Sequence, residues 1–162
     1  MAPTKLKGDL AELKVAAHLL ELGYRIAIPY GEDWDYDLIL IRGDAFERVQ
    51  VKHATSDGRV IDVRCSSQSL TNGKVKRTKR YTSALVDWIA VYDATTSSCH
   101  YVPAEMLGTG RRHFSLRLVP AMNGQRLRIH NAADFRIPEP HTRVDGASRT
   151  RTDALSDANR TL

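Results

Sequence analysis

At 162 residues, 42% apolar and 27% charged, the chain has the length and balance of one globular domain with a single core. Its apolar stretches fall far short of the roughly 20 residues of a membrane helix, and residues 1–8 lack a signal-peptide core, so a cytoplasmic protein with no membrane partner is expected. Cys65 and Cys99 stand far apart without zinc spacing, which argues against a disulfide framework or a structural zinc, and the net charge of +5 suits a polyanionic partner.

In chain order, residues 7–22 read as an amphipathic helix, with Leu10, Leu13, Ala17 and Leu20 at helical spacing and Val15, Ala16 and Leu19 widening the apolar face. Gly23 stops it. A short strand is expected over 24–28 and an acidic, glycine-containing loop over 29–34. Strands over 35–41 and 48–54 are joined by a hairpin turn at Arg42-Gly43-Asp44-Ala45. Residues 59–64 alternate like a further strand continuing this meander, and 66–79, without apolar periodicity, read as a mobile connection. A short helix is expected at 81–84, a strand covered on both faces at 87–92, an extended segment at 100–102 and a helical turn at 104–107. Weaker strands are expected at 114–119 and 126–129. Residues 1–137 form one domain, and 138–162, rich in Ser, Thr, Asp, Arg and Ala, read as a disordered tail. That tail carries four acids and four bases, so the whole positive excess lies in the domain.

The chemistry concentrates between Glu12 and Lys52. Alternation along a strand puts Asp37 on one face with Asp35 and Ile39, and puts Gln50 and Lys52 together opposite Val49 and Val51. A hairpin can bring these polar groups side by side, a costly arrangement on a core-like sheet unless something binds them. Asp37 is preferred to Asp35 because the apolar run begins directly after it. Magnesium takes hard oxygen ligands: the Asp37 carboxylate, the Gln50 amide and the Val51 carbonyl are candidates. Lys52 can serve the attacking water or the charge building on a phosphate, and Glu12, on the first helix, can orient a water or bind a second ion.

Lys7-Gly8-Asp9-Leu10-Ala11-Glu12, Gly23-Tyr24, Asp37-Leu38-Ile39 and Val49-Gln50-Val51-Lys52 together resemble the PD-(D/E)XK nuclease superfamily, most closely its small group I intron-associated endonucleases and Holliday junction resolvases. Tyr81, Val86-Asp87 and Tyr101-Val102-Pro103 fit the same layout. The resemblance is carried by residues 5–107, within the expected domain of residues 1–137. It implies an α/β restriction-endonuclease-like core, a mixed central sheet flanked by helices. It further implies Mg2+-dependent DNA cleavage, with Mn2+ as a substitute, at Glu12, Asp37, Gln50 and Lys52, the metal held by Asp37, Gln50 and Glu12. Two departures stand out: Tyr36 precedes Asp37 where Pro is common, and Gln50 replaces the usual carboxylate, removing one negative charge.

The run 74–80 (KVKRTKR) holds five cations and no acid. Lys74, Lys76, Arg77, Lys79 and Arg80 are therefore the candidate phosphate contacts, with Arg111, Arg112, Arg117, Arg126 and Arg128 as extensions. Gln68 joins the DNA contacts on the resemblance alone. Cutting both strands calls for two sites, hence a homodimer or homotetramer. The alternatives are a nuclease fold that binds DNA without cutting it, a Holliday junction-resolving enzyme, and an interaction module unrelated to nucleic acid.

Overall fold

The computed structural model describes residues 3–138 except 32, 72, 73, 123, 125, 126 and 128, with the backbone alone over 69–71 and 74–76. The expected tail from residue 139 onward lies outside the described residues, as do 126 and 128 of the weak strand expected at 126–129, whose described residues 127 and 129 are not in a strand.

Helix α1 (Pro3–Glu21) is followed by strands β1 (Arg25–Ala27), β2 (Leu38–Arg42), β3 (Ala45–Ala54), β4 (Val60–Arg64), β5 (Ser66–Thr71), β6 (Lys74–Arg80), β7 (Trp88–Asp93), β8 (Ser98–Pro103) and β9 (His113–Arg117). Short 3-10 turns occupy Ala104–Leu107 and Ala132–Phe135. The central mixed sheet runs β1-β2-β3-β7-β8; β3 and β7 are parallel and its other pairs antiparallel. Strands β7 and β8 are buried along their whole length; β7 is near-continuously apolar, and β8 also buries Ser98 and His100, which hydrogen-bond each other.

Helix α1 covers one sheet face. Its inward residues are Ala11, Val15 and Leu19, all fully buried against Leu38, Leu40, Val49, Val51, Ala90 and Tyr101. Of the wide apolar face expected, Val15 and Leu19 do point inward, whereas Leu10, Leu13, Ala17 and Leu20 lie on the outer side: Leu13 is 69% exposed and Leu20 56%. Both stripes of this helix are apolar, so periodicity alone could not choose between them; the smaller Ala11 stripe allows closer approach to the sheet. The opposite sheet face is covered by the β4–β9 pair, through Ile61, Val63, Phe114 and Leu116 against Ile89, Val91 and Val102.

Three expectations are corrected. β4 does not extend the meander; β7 takes the free edge of β3, and β4 pairs with β9 in a separate two-stranded sheet. Within the expected connection over 66–79, strands β5 and β6 pair antiparallel, with a register shift at Ser69/Leu70; their polar, cationic sequence carries no core-facing period to reveal them. Residues 81–84 form a turn rather than a helix. Leu85 and Val86 both donate to the Thr82 carbonyl, and the Arg48 guanidinium takes the Ala84 and Ser83 carbonyls that a continuing helix would use. No helix among the described residues is long and apolar enough to cross a membrane.

Candidate active site

Asp37 lies immediately before β2, where its backbone N–H donates to Val49 (2.9 Å) and continues the β2–β3 ladder by one residue. Leu38 pairs with Val49 and points to the α1 face, so strand alternation turns Asp37 and Gln50 to the other face together. Asp37 Oδ2 accepts the Val51 backbone N–H at 2.7 Å and a hydrogen from the Gln50 amide. The same Gln50 Nε2 also donates to the Val51 carbonyl at 3.2 Å. One amide nitrogen therefore sits where a carboxylate oxygen and a backbone carbonyl converge.

Lys52 follows on the same face. Its Nζ lies 3.5 Å from the Tyr81 hydroxyl and 4.8 Å from the centre of the Tyr81 ring, which is itself 4% exposed. Burial lowers the Lys52 pKa; the carboxylates of Asp37 and Glu12 act against that, and the neighbouring Arg64 adds to it. Burial raises Asp37, opposed by the Val51 N–H, Lys52 and Gln50. Burial likewise raises Glu12, with repulsion from Asp37 and Asp9 adding to it and Lys52 opposing.

Glu12 flanks the buried α1 stripe and is half-buried. It hydrogen-bonds none of the other three; it shares their field. The structure thus joins Asp37 and Gln50 directly, sets Lys52 beside them through Tyr81, and brings Glu12 within electrostatic reach. Asp35, the rival acid, is engaged elsewhere in an ion pair with Lys79.

Two neighbours were not legible as part of the site. Tyr81 closes over Lys52, and Cys65 lies behind it, fully buried, its thiol pushed up to about 12 by burial with Lys52 and Arg111 opposing. The position of Tyr81 depends on a long-range bond, its N–H to the Cys65 carbonyl at 3.1 Å, which no local pattern announces. Of the candidate phosphate contacts, Gln68, Arg77 and Arg80 are exposed and Lys79 is held by Asp35; the side chains of Lys74 and Lys76 lie outside the described residues.

The donor set fits a hard divalent cation. Two oxygens already converge on one point, and turning the Gln50 amide over would present a third. Both carboxyls are raised chiefly by burial, and a cation placed between them would oppose that rise. No group of three or more His, Cys, Asp or Glu side chains gathers among the described residues, so neutral oxygens must complete any such shell.

A protein-family model described as PD-(D/E)XK endonuclease matches residues 2–138. The chain belongs to the PD-(D/E)XK endonuclease family. Its fold is restriction-endonuclease-like, as the resemblance implied. The bacterial homing endonuclease I-Ssp6803I is similar over 83% of this chain and 89% of its own, with a TM-score of 0.64 at 20% identity. The Holliday junction resolvase Hjc of Archaeoglobus fulgidus overlaps 68% of this chain and 84% of its own, at a TM-score of 0.45 and 13% identity. No curated protein sequence matches significantly.

Proposed function

We propose that this chain is a magnesium-dependent DNA endonuclease hydrolysing phosphodiester bonds at Asp37, Gln50, Lys52 and Glu12. The observation that carries the reading is the convergence of Asp37 Oδ2 and the Val51 carbonyl on the Gln50 amide, beside the half-buried Lys52. Asp37, the Val51 carbonyl and the Gln50 amide oxygen would hold Mg2+, or Mn2+ in its place, and Glu12 would orient a water or hold a second ion. The bound ion supplies Lewis acidity and a more acidic water.

The remaining work falls to the chain itself. Lys52, fixed against the Tyr81 ring, holds the attacking water or the negative charge that builds on the phosphate. Walls from β4, β9 and Tyr81 exclude bulk solvent behind Lys52, which strengthens every charge interaction there. The β5–β6 hairpin contacts the DNA backbone through Arg77, Arg80, Lys74 and Lys76, with Gln68 alongside. Two copies give the two sites needed to cut a duplex. The outer stripe of α1, with Leu6 59%, Leu10 42%, Leu13 69% and Leu20 56% exposed, supports a homodimer or homotetramer.

The second reading, a nuclease fold that binds DNA without cutting it, is favoured by one observation: Gln50 presents N–H to Asp37 where the superfamily usually has a carboxylate. Incubation with supercoiled plasmid and with a four-way junction separates them. Cutting that needs Mg2+ or Mn2+, stops with EDTA, and falls roughly a hundredfold in Lys52→Ala is expected, by analogy with loss of one transition-state charge partner. Salt-sensitive retention of DNA without cutting, on both substrates and with both metals, overturns the nuclease reading and leaves the binder.

A further inference from the structure

We propose that the turn at residues 108–112 (GTGRR) is a second DNA-backbone contact of this protein, in which Arg111 and Arg112, with Arg64 and Arg80, form one guanidinium surface beside Lys52. The proposal rests on the DNA-endonuclease reading and extends its contact surface from Arg80, at the end of the β5–β6 hairpin, to the 108–112 turn and β4.

The surface is built around Cys65, the one residue between β4 and β5. Its N–H donates to the Arg112 carbonyl at 2.7 Å, and its carbonyl accepts the Tyr81 N–H at 3.1 Å. One backbone unit therefore joins the 108–112 turn on one side to the residue that covers Lys52 on the other. Gly110 brings the turn against the end of β6. Its φ is +110°, and a Cβ placed there would meet the Arg80 Cβ at 2.9 Å, so only glycine permits this approach. Arg64 precedes Cys65 and faces solvent, as do Arg80, Arg111 and Arg112.

Among the described residues, none of these four arginines is ion-paired to a carboxylate; the salt bridges are Arg42–Glu47, Arg48–Asp87, Lys79–Asp35 and His113–Asp62. The acid nearest in sequence to Arg64 on its strand, Asp62, is engaged by His113 at 2.8 Å. Arg64 and Arg111 also act electrostatically on Lys52 and Cys65 respectively. Four exposed guanidinium groups from three separate segments, held together by backbone contacts, suit an extended phosphate chain. Guanidinium binds phosphate in a bidentate fork, and each contact releases counterions from DNA. Arg117 does not join them: it pairs with Val60 at the far end of the β4–β9 ladder.

The test is duplex-DNA binding by fluorescence anisotropy in EDTA, where no cutting intervenes, measured across a salt series. The variants are Arg111→Gln, Arg112→Gln, both together, Arg111→Lys with Arg112→Lys, and Arg25→Gln on the edge strand β1 as control. Each Gln variant is expected to flatten the slope of log K against log salt by about 0.9, the double variant by about twice that, with the Lys pair close to the parent and Arg25→Gln unchanged. Slopes for the Arg111 and Arg112 variants equal to that of Arg25→Gln overturn the proposal while the nuclease reading stands. A parent chain without salt-sensitive binding to duplex DNA, or one retaining an acidic polypeptide equally well, overturns both.

Discussion

Asp37 and Gln50, thirteen residues apart, meet across the β2–β3 hairpin through a hydrogen bond from the amide to the carboxylate. A carboxylate at position 50 would repel Asp37 unless a cation stood between them; an amide satisfies Asp37 with or without one. Gln50 thus satisfies Asp37 without a cation and, under the proposed function, leaves less negative charge for one.

Gln50→Glu reverses that balance. The variant is expected to unfold several degrees below the parent in EDTA, because two buried carboxyls then face each other, and to gain more stability than the parent on adding Mn2+. Thermal unfolding with and without metal checks this. A variant whose metal-dependent shift equals the parent's would place the ion away from residue 50.

Tyr81 holds Lys52 by both ring and hydroxyl. Tyr81→Phe keeps the ring and is expected to retain most of the cleavage rate. Tyr81→Leu loses the ring contact, of about 0.5–2 kcal/mol, and kcat should fall roughly tenfold with little change in KM. Steady-state cleavage of a defined duplex reads both. Equal losses in the two variants would assign the effect to the hydroxyl instead.

His100 links acid sensitivity to the core. It is fully buried, between the Ser98 hydroxyl and the Ala132 carbonyl, each at 3.0 Å. Burial holds its pKa below the ordinary value, with the Ala132 carbonyl opposing. A folded-state pKa below the unfolded one means the unfolded chain binds the extra proton, so the stability is complete above about pH 6.5 and declines as pH falls through the lowered folded value. The unfolding midpoint should be flat from pH 8 to 7 and fall as the pH drops below about 6.5, with a shallower fall in His100→Gln. His18, also lowered chiefly by burial, adds the same sign, whereas the raised carboxyls of Glu12 and Asp37 oppose it. An unchanged pH slope in the variant would remove His100 from this account.

The hairpin that joins Asp37 to Gln50 and Lys52 was legible because its apolar alternation and its Gly43 turn agree, and because period-two geometry fixes which side chains share a face. The same pattern could not show that β7 rather than β4 lies beside β3, since either apolar strand satisfies that edge. Helix α1 misled for a related reason. The expected face held Leu10, Leu13 and Leu20 beside Val15 and Leu19, yet the sheet takes only the latter two, with Ala11, and Glu12 next to Ala11 comes within electrostatic reach of Asp37. Tyr81 and the 108–112 turn reach the site through the backbone of Cys65, a contact between distant segments that leaves no periodic trace.

The most direct test of the central claim is anomalous diffraction from crystals soaked in Mn2+. A peak at about 2.0–2.3 Å from Asp37, the Val51 carbonyl and a reoriented Gln50 amide oxygen is predicted. A well-occupied peak elsewhere, with those three oxygens left unliganded, would contradict it.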